Sequence, residues 1–353
     1  MAARFSICIP NFNYERYLGK TIASVLSQQG PSVEVLISDN ASTDRSVELA
    51  RGLNDERVKV KINHANVGFA GNLDHAGRMA KGELMLMLSS DDLMRPGALA
   101  AYDALFKAIE PDAIVTSTAE VIDADDKVTG SLGADADLWT EADLAPNLPA
   151  PNGAKVYRVP SGELLRRALK RLRNPFNFLA TAFSRSLYER IEGYGGGRLI
   201  NPDKWFHWRL LGVASHAYFV DAPLFAYRWH AANQTAQQAA SGALKYLVDE
   251  YANTFEVDAN LLKRAGLTRE ELERAFVEHD IARHGLATLA KGNAIRAKRV
   301  AAFGSAAYPQ HASSNWKLWV LRGLLAAGPL GKVAARTSYK LLSSRVDLSR
   351  GER

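Results

Sequence analysis

The chain has 353 residues and a formal net charge of +6, with 47% hydrophobic and 23% charged residues. This balance is typical of a soluble globular protein with one large domain or two smaller ones. No stretch reaches about 18 uninterrupted apolar residues, which excludes a transmembrane helix. A charged segment followed by a long apolar one is absent from the N-terminus, so we expect no signal peptide. The single cysteine, Cys8, excludes an internal disulfide and suits a reducing compartment.

The positive charge is concentrated toward the C-terminus, where the only acids after Arg296 are Asp347 and Glu352. A basic segment of this kind predicts an anionic partner surface. Nucleic acid is not expected as that partner, because the sequence shows no zinc-finger, RNA-recognition or homeodomain signature.

The first third of the chain alternates between strand and helix patterns. The strand patterns are RFSICIP, SVEVLIS, RVKVKIN, ELMLMLSS and DAIVTS, and a helix pattern follows each of the first four. In the first helix, Leu18, Ile22, Val25 and Leu26 lie on one face. Alternation at this spacing predicts a parallel sheet with helices on both of its faces.

After about Val121 the alternation weakens. An acidic segment rich in Gly and Pro is interpreted as long loops, and the basic helix SGELLRRALKRLR follows it. The later GYGGGR, residues 193–198, is interpreted as a flexible loop. The chain beyond it becomes helical, with Thr268 and Glu271 spaced as a capping box. The predicted domain boundary lies near residues 235–245.

Polar residues follow the predicted strands in an ordered series. Pro10 and Asn11 follow the first strand, Asp39 ends the second, Asn66 follows the third and Asp91 ends the fourth. The carboxyl ends of parallel strands share one edge, so these residues should meet in one crevice. Each alone can be a cap or turn residue, but the series favours a binding site. A P-loop motif is absent, and no G-x-G-x-x-G follows the first strand, so hydride transfer and P-loop phosphoryl transfer are not predicted.

Several segments also follow the pattern of a known family. They are SICIPNFNYERYLGKTIASVLSQ, VLISDNASTDRS, NVGFAGNLDHAGRMAKGELMLMLSSDD and NPDKWFHWRLLGVASHAYFVDAPLFAYRWHAANQT. Over roughly residues 4–235 the sequence therefore resembles the inverting, family 2 glycosyltransferases of the GT-A fold. This resemblance implies an α/β fold with a doubly wound, mostly parallel sheet and a C-terminal helical extension.

The resemblance also implies a domain division and a function. Residues 1–240 would form the GT-A domain, with a nucleotide-sugar half over about 1–120 and an acceptor half over about 121–240, and residues 241–353 a helical region. The implied reaction moves a sugar from a nucleotide-diphosphate sugar to a glycan or lipid-linked acceptor in cell-surface polysaccharide synthesis, such as that of lipopolysaccharide O-antigen. The implied location is the cytoplasm, at the inner face of the cytoplasmic membrane.

The donor site follows from the aligned positions. Asp39 aligns with the acid that accepts hydrogen bonds from the nucleobase, and an Asx turn before the next helix is the alternative. Pro10 and Phe12 would line the base pocket, although a structural role for Phe12 stays open. Asn66 and Ser90 are assigned to the same donor site.

The implied metal motif, Asp-x-Asp in the family, is Ser89-Ser90-Asp91 here. Asp91 would bind Mn²⁺ or Mg²⁺ on the donor's diphosphate, and Ser89 replaces the acid that contacts ribose. His230 of YRWH would be the second metal ligand, since Mn²⁺ accepts imidazole and carboxylate together. The alternatives are that the acids cap the next helix and that the histidine is a core residue.

Asp203 is the candidate general base, because it occupies the position of the family's catalytic Asp. An inverting transferase needs a carboxylate that takes the acceptor hydroxyl's proton. Arg228 would offset charge on the leaving diphosphate or make an ordinary ion pair. Trp205 and Trp208 flank the base, either as a sugar-stacking platform or as core residues.

Two further interpretations remain open at this stage. One is a nucleotide-sugar-binding protein of the same fold that lost catalysis, and the other is a sugar nucleotidyltransferase. For the C-terminal segment SNWKLWVLRGLLAAGPLGKVAARTSYKLL, a basic amphipathic helix could lie on an anionic membrane or dock on the protein with a solvated basic face.

Overall fold

The structure is a computed structural model that describes residues 3–195, 202–230, 233 and 243–343, and for 243–246 and 338–343 the backbone alone. Half of the GYGGGR segment and most of the predicted boundary region lie outside these residues. The chain divides into two compact units. The first comprises Met1–Leu165 with Asn174–His230, and the second comprises Arg166–Arg173 with Ala231–Arg353.

The first unit is built on one mixed sheet. Its strands are β1 (Phe5–Asn11), β2 (Val33–Asp39), β3 (Val58–Ile62), β4 (Leu84–Met87), β5 (Leu93–Met94), β6 (Ile114–Ile122), β7 (Val128–Leu132), β8 (Val156–Pro160), β9 (Ala182–Ser184) and β10 (His216–Arg228). Among the described residues the strand order is β3-β2-β1-β4-β9-β6-β10-β5, with β7 beside β6 and β8 beside β10. Strands β3, β2, β1 and β4 are parallel neighbours, as are β6 and β10. The predicted α/β fold is therefore confirmed, with a mixed sheet in which β9 is antiparallel to its neighbours β4 and β6.

Helices pack against both faces of this sheet. They are α1 (Glu15–Leu26), α2 (Ser46–Gly52), α3 (Gly68–Gly77), α4 (Ala98–Ala108), α5 (Ser161–Arg171), which spans both units, α6 (Arg185–Arg190) and α7 (Pro202–Val213). Every residue of β1 and β2 is buried, as expected for parallel strands covered on both sides. Helix α1 buries Leu18, Ile22 and Val25 on the face that the sequence pattern predicts.

The segment interpreted as long loops after Val121 contains an antiparallel strand, so that interpretation is wrong for residues 128–132. Strand β7 pairs with β6 across a tight turn. In this turn the Asp123 carboxylate accepts the backbone N–H groups of Asp125 and Lys127, and Asp126 has a φ of 68°. Aspartate tolerates this left-handed conformation better than most residues, so the acidic run is a hairpin turn.

The second unit is helical in its described residues. It contains part of α5, then α8 (Ala243–Glu256), α9 (Ala259–Ala265), α10 (Arg269–Phe276), a π-helical segment (Val277–Arg283), α11 (His284–Ala290), α12 (Ala294–Ala307), α13 (Pro309–Ser314), α14 (Trp316–Ala326) and α15 (Gly328–Ser343). The predicted capping box is confirmed, because the Thr268 hydroxyl accepts the Glu271 N–H at 3.1 Å and Glu271 accepts the Thr268 N–H at 2.8 Å. None of the described helices combines the length and apolar character that a bilayer crossing needs.

Candidate active site

The carboxyl ends of β1 and β2 bring Asn11 and Asp39 side by side. Asn11 Nδ2 donates to Asp39 Oδ2 at 2.8 Å, while Ser42 donates its backbone N–H to Oδ1 at 2.9 Å and its hydroxyl to Oδ2 at 2.7 Å. The turn interpretation of Asp39 is thus realised in the fold. A carboxylate has about four acceptor positions, so these three donors leave Asp39 capacity for an N–H group of a base.

The loop after β3 is held against the same edge by amide side chains. Asn66 Oδ1 accepts hydrogen bonds from Asn40 Nδ2 at 2.8 Å and from the Gly68 N–H at 2.9 Å. Asn66 therefore stabilises this loop, and its assignment to donor binding stays a prediction. Phe12, at the start of the loop after β1, keeps 41% of its surface exposed and is accessible to a stacking ligand.

The end of β4 and the end of β10 bring Asp91 and His230 into contact. Asp91 Oδ2 lies 3.0 Å from His230 Nε2, and both side chains are less than 10% exposed. The rings of Tyr17 and Tyr14 lie 4.8 and 5.9 Å from the imidazole, measured between centroids. His230 is therefore walled by aromatic rings, with Nε2 directed at the predicted metal-binding acid.

Arg228 is fully buried and holds the turn that carries both acids after β4. Its Nε donates to the Asp91 carbonyl at 2.7 Å, and its backbone N–H donates to Asp92 Oδ1 at 2.8 Å. Burial and the neighbouring Asp91 raise the pKa of Asp92. The N-cap of α4 is Gly97, so neither acid caps that helix, as the alternative interpretation would require.

The other end of the Arg228 guanidinium contacts the β6–β7 turn. Nη1 lies 2.5 Å from Asp126 Oδ1 and donates to the Asp123 carbonyl at 3.0 Å. The guanidinium carbon lies 4.8 Å from the centre of the Tyr17 ring. The ion-pair interpretation of Arg228 is therefore observed. Sequence reasoning assigned no site role to Asp92, Asp126 or Tyr17. The adjacent acids at 91 and 92 were a signal for Asp92 alone.

The two serines of the metal motif contact neighbouring protein groups. The Ser89 hydroxyl hydrogen-bonds to the Asp92 side chain, and the Ser90 hydroxyl donates to the Pro10 carbonyl at 3.2 Å. The second bond ties the end of β4 to the end of β1. Ser89 thus helps to hold the Asp91–Asp92 turn in this structure.

Asp203 lies in the first turn of α7 and is half-buried. Asn174 Nδ2 donates to Asp203 Oδ2 at 3.0 Å, and Asn174 Oδ1 lies 2.8 Å from His207 Nδ1. Burial raises the pKa of Asp203 and lowers that of His207 to about 3. Trp208 is fully buried and is a core residue, whereas Trp205 is half-buried.

A divalent cation would find two protein ligands at the contact of Asp91 and His230. Carboxylate oxygen and imidazole nitrogen suit Mn²⁺, and carboxylate oxygen suits Mg²⁺. Within the described ranges no group of three or more His, Cys, Asp or Glu side chains is arranged to hold a metal. The pair therefore fits a cation that takes its remaining ligands from a bound diphosphate or from water.

Comparison with known sequences identifies a family match in the N-terminal half of the chain. Residues 6–174 match the profile described as Glycosyl transferase family 2. An uncharacterized glycosyltransferase of Nostoc sp. is 26% identical over 282 residues, which are 75% of this chain and 80% of that protein. The GalNAc(5)-diNAcBac-PP-undecaprenol beta-1,3-glucosyltransferase of Campylobacter jejuni is 31% identical over 99 residues, which are 27% of this chain and 32% of that enzyme.

Solved structures share the fold at low sequence identity. TarS 1–349 of S. aureus in complex with UDP-GlcNAc has a TM-score of 0.61 at 16% identity, covering 96% of this chain and 92% of TarS 1–349. The mannosyltransferase PcManGT of Pyrobaculum calidifontis, in complex with GDP-Man and Mn²⁺, has a TM-score of 0.50 at 16% identity, covering 100% of this chain and 89% of that one. Residues 6–174 therefore form a family 2 glycosyltransferase domain, and the chain is a glycosyltransferase of the GT-A fold.

Proposed function

We propose that this chain transfers a sugar, with inversion, from a nucleotide-diphosphate sugar to a glycan or lipid-linked saccharide acceptor in cell-surface polysaccharide synthesis. The observation that carries the proposal is the contact of Asp91 with His230 at the same sheet edge as Asp39. The UDP-GlcNAc complex of TarS supports the donor class, and the undecaprenol-linked acceptor named for the Campylobacter relative supports the acceptor class.

In this proposal the donor base lies against Pro10 and the exposed ring of Phe12. The remaining acceptor capacity of Asp39 receives an N–H group of uracil or guanine. Asn66 and Ser90 support this pocket through the bonds that hold its loops.

Asp91 and His230 would hold Mn²⁺ or Mg²⁺, and the Mn²⁺ in the PcManGT complex supports this assignment. A bound cation would offset negative charge on the leaving diphosphate. We assign Arg228 to the positioning of Asp91, because its guanidinium donates to the Asp91 carbonyl and pairs with Asp126. A direct contact of Arg228 with the diphosphate stays a prediction from the resemblance.

Asp203 is proposed as the base that removes the acceptor hydroxyl's proton. Its pKa is raised by burial, and a carboxylate with a raised pKa is a stronger base in its ionised form. The hydrogen bond from Asn174 fixes one carboxylate oxygen and leaves the other for the acceptor.

The proposed place of reaction is the cytoplasm, at the inner face of the cytoplasmic membrane. The buried free thiol of Cys8 suits a reducing compartment. A lipid-linked acceptor would be presented at a membrane surface.

The deciding experiment is calorimetry and thermal unfolding with UDP, GDP, dTDP and CMP sugars, with and without Mn²⁺. A donor that binds the folded chain should raise the unfolding midpoint. We expect Asp91→Ala to remove the part of this effect that depends on metal. The control is Asp125→Ala, whose side chain is 87% exposed. Equal metal-dependent donor affinity in Asp91→Ala and the unmodified protein would refute the metal assignment.

Product analysis with the donor that binds distinguishes the transferase from the two alternative functions. Release of nucleoside diphosphate with a new glycosidic bond supports the transferase. Donor binding without transfer to any acceptor or to water would favour a binding protein. Pyrophosphate formed from a nucleoside triphosphate and a sugar phosphate would favour a nucleotidyltransferase.

A further inference from the structure

Helix α14 in the second unit has apolar side chains on two sides. Leu318 and Leu321 are fully buried against the unit. Three other apolar side chains of the helix face solvent: Trp316, Trp319 and Val320 are 66%, 60% and 43% exposed. Their spacing of three and four residues places these three side chains on one face of the helix. We call this set the tryptophan face.

The tryptophan face bears on whether this segment is only a docked helix. A docked helix with a solvated basic face would expose Lys and Arg and bury its tryptophans. Here the docking uses the two leucines, and large apolar side chains still remain in solvent. The next helix, α15, adds Leu330 and Val333, which are 80% and 62% exposed. Several large exposed apolar side chains on consecutive helices mark an interaction site more often than a single exposed side chain does.

The sequence that forms α12 to α15 carries charge of one sign. The sequence contains no Asp or Glu between His284 and Ser343. Within that stretch the exposed cations include Lys298, Arg299, Arg322 and Arg336. Lys317 pairs with Glu278, which lies before the stretch. These exposed cations favour an anionic partner.

We propose that the tryptophan face and the basic surface of α12 to α15 bind an anionic lipid bilayer. Tryptophan is suited to the headgroup region of a bilayer, where its ring is buried and its N–H stays hydrated. Lysine and arginine near it gain from the negative surface potential of anionic lipids. The helices lie on the bilayer and do not cross it, in agreement with their composition.

A second copy of the chain is a poorer occupant of the same face. A twofold interface brings the same patch of both copies together. Here it would bring together two copies of a stretch that contains no Asp or Glu and has several exposed cations, and like charges in contact weaken association. An anionic bilayer supplies both the apolar layer and the opposite charge.

The test compares the full chain with Trp316→Ser/Trp319→Ser by co-sedimentation with liposomes. Vesicles of phosphatidylcholine alone are compared with vesicles containing about 30% phosphatidylglycerol. The matched control is Phe255→Ser, because Phe255 is an aromatic residue of the second unit, on α8, and is 69% exposed. Thermal unfolding of all three proteins verifies that the variants are folded.

We expect the unmodified chain and Phe255→Ser to bind the anionic vesicles, more weakly as salt is added. The double tryptophan variant should bind them about tenfold less tightly. Equal binding by the double variant, or no binding by the unmodified chain, overturns the proposal. Two other results would also overturn it by assigning the surface to another partner. One is a dimer that dissociates when the two tryptophans are replaced, and the other is binding to RNA in place of lipid. Neither sugar transfer nor metal binding is read, so this result is independent of the proposed function.

Discussion

Asp91 interacts through two different groups, and these have different partners. Its carboxylate faces His230, while its carbonyl accepts the Nε–H of Arg228. The side chain is thereby oriented by a residue that binds the backbone of Asp91. Groups that orient a metal ligand in this way commonly change metal affinity when they are replaced.

Asp203→Asn should leave donor binding unchanged and nearly abolish transfer. Asparagine keeps the shape and the bond to Asn174, but it cannot take a proton from the acceptor. A positioned general base contributes on the order of 10²–10⁴-fold, so the loss should fall on kcat. Steady-state kinetics measure this, and NMR of the product reports its anomeric configuration. Unchanged kcat would exclude Asp203 as the base, and a retained configuration would exclude inversion.

Among the elements, the β6–β7 turn has a role beyond joining two strands. Asp126 in this turn pairs with Arg228 and with Lys20 of α1. The turn thereby links α1 to the end of β4, where the candidate metal site lies. A substitution in the turn should therefore alter how firmly Arg228 holds Asp91.

Asp126→Asn should raise the Mn²⁺ concentration needed for half-maximal activity by about tenfold, because Arg228 loses its ion-pair partner and holds Asp91 less firmly. The neighbouring Asp125→Asn is the control, since the Asp125 side chain is 87% exposed. Its ion pair among the described residues is with Arg16, at 3.7 Å. Metal titrations of activity measure the effect. If the two variants respond alike, the turn does not position Asp91.

The capping box of α10 predicts a local effect on stability. Thr268→Ala should lower the free energy of unfolding by about 1 kcal/mol, because the Glu271 N–H loses its acceptor at the helix end. Thr268→Ser keeps the hydroxyl and should stay close to the original stability. Urea unfolding followed by circular dichroism measures both. A loss as large in the serine variant would show that the methyl group matters and the cap does not.

At the scale of the whole molecule, each unit contains a histidine that resists protonation. Burial lowers the pKa of His207 in the first unit to about 3 and that of His279 in the second to about 4. Unfolded histidine keeps its ordinary pKa of 6.5, so unfolding takes up protons below that pH. These side chains therefore stabilise the fold above pH 6.5, and the stabilisation is lost as the pH falls.

Stability should decline between pH 6.5 and pH 5, a window above the ordinary range of carboxylates. His207 alone should account for about 2 kcal/mol by about pH 5. Urea unfolding at several pH values measures the decline, and His207→Gln should reduce its slope. A slope that His207→Gln does not change would mean that this imidazole titrates normally in the folded protein.

The sequence by itself determined the first strands and helices and the order of the polar residues at their strand ends. Apolar periodicity is local, so β1, β2 and α1 could be predicted from their own residues. Parallel strands must end on one edge, so the meeting of Asn11 with Asp39 was also predictable. The family resemblance supplied Asp91 and His230, although their alignment alone could not establish that they touch.

Only the tertiary structure decided which hydrogen-bond and ion-pair partners the polar groups have. Strand β9 inserts antiparallel between β4 and β6. Leu84 pairs with Ser184 and Ile114 with Phe183, and no local pattern exists for pairings so distant in the chain. Arg228 reaches Asp91 across 137 positions and Asp126 in the turn after the neighbouring strand β6, because a buried guanidinium needs nearby acceptors for its N–H groups. The same limit applies to α14. Its sequence indicated a basic amphipathic helix, but packing alone decided that the leucines are buried and the tryptophans exposed.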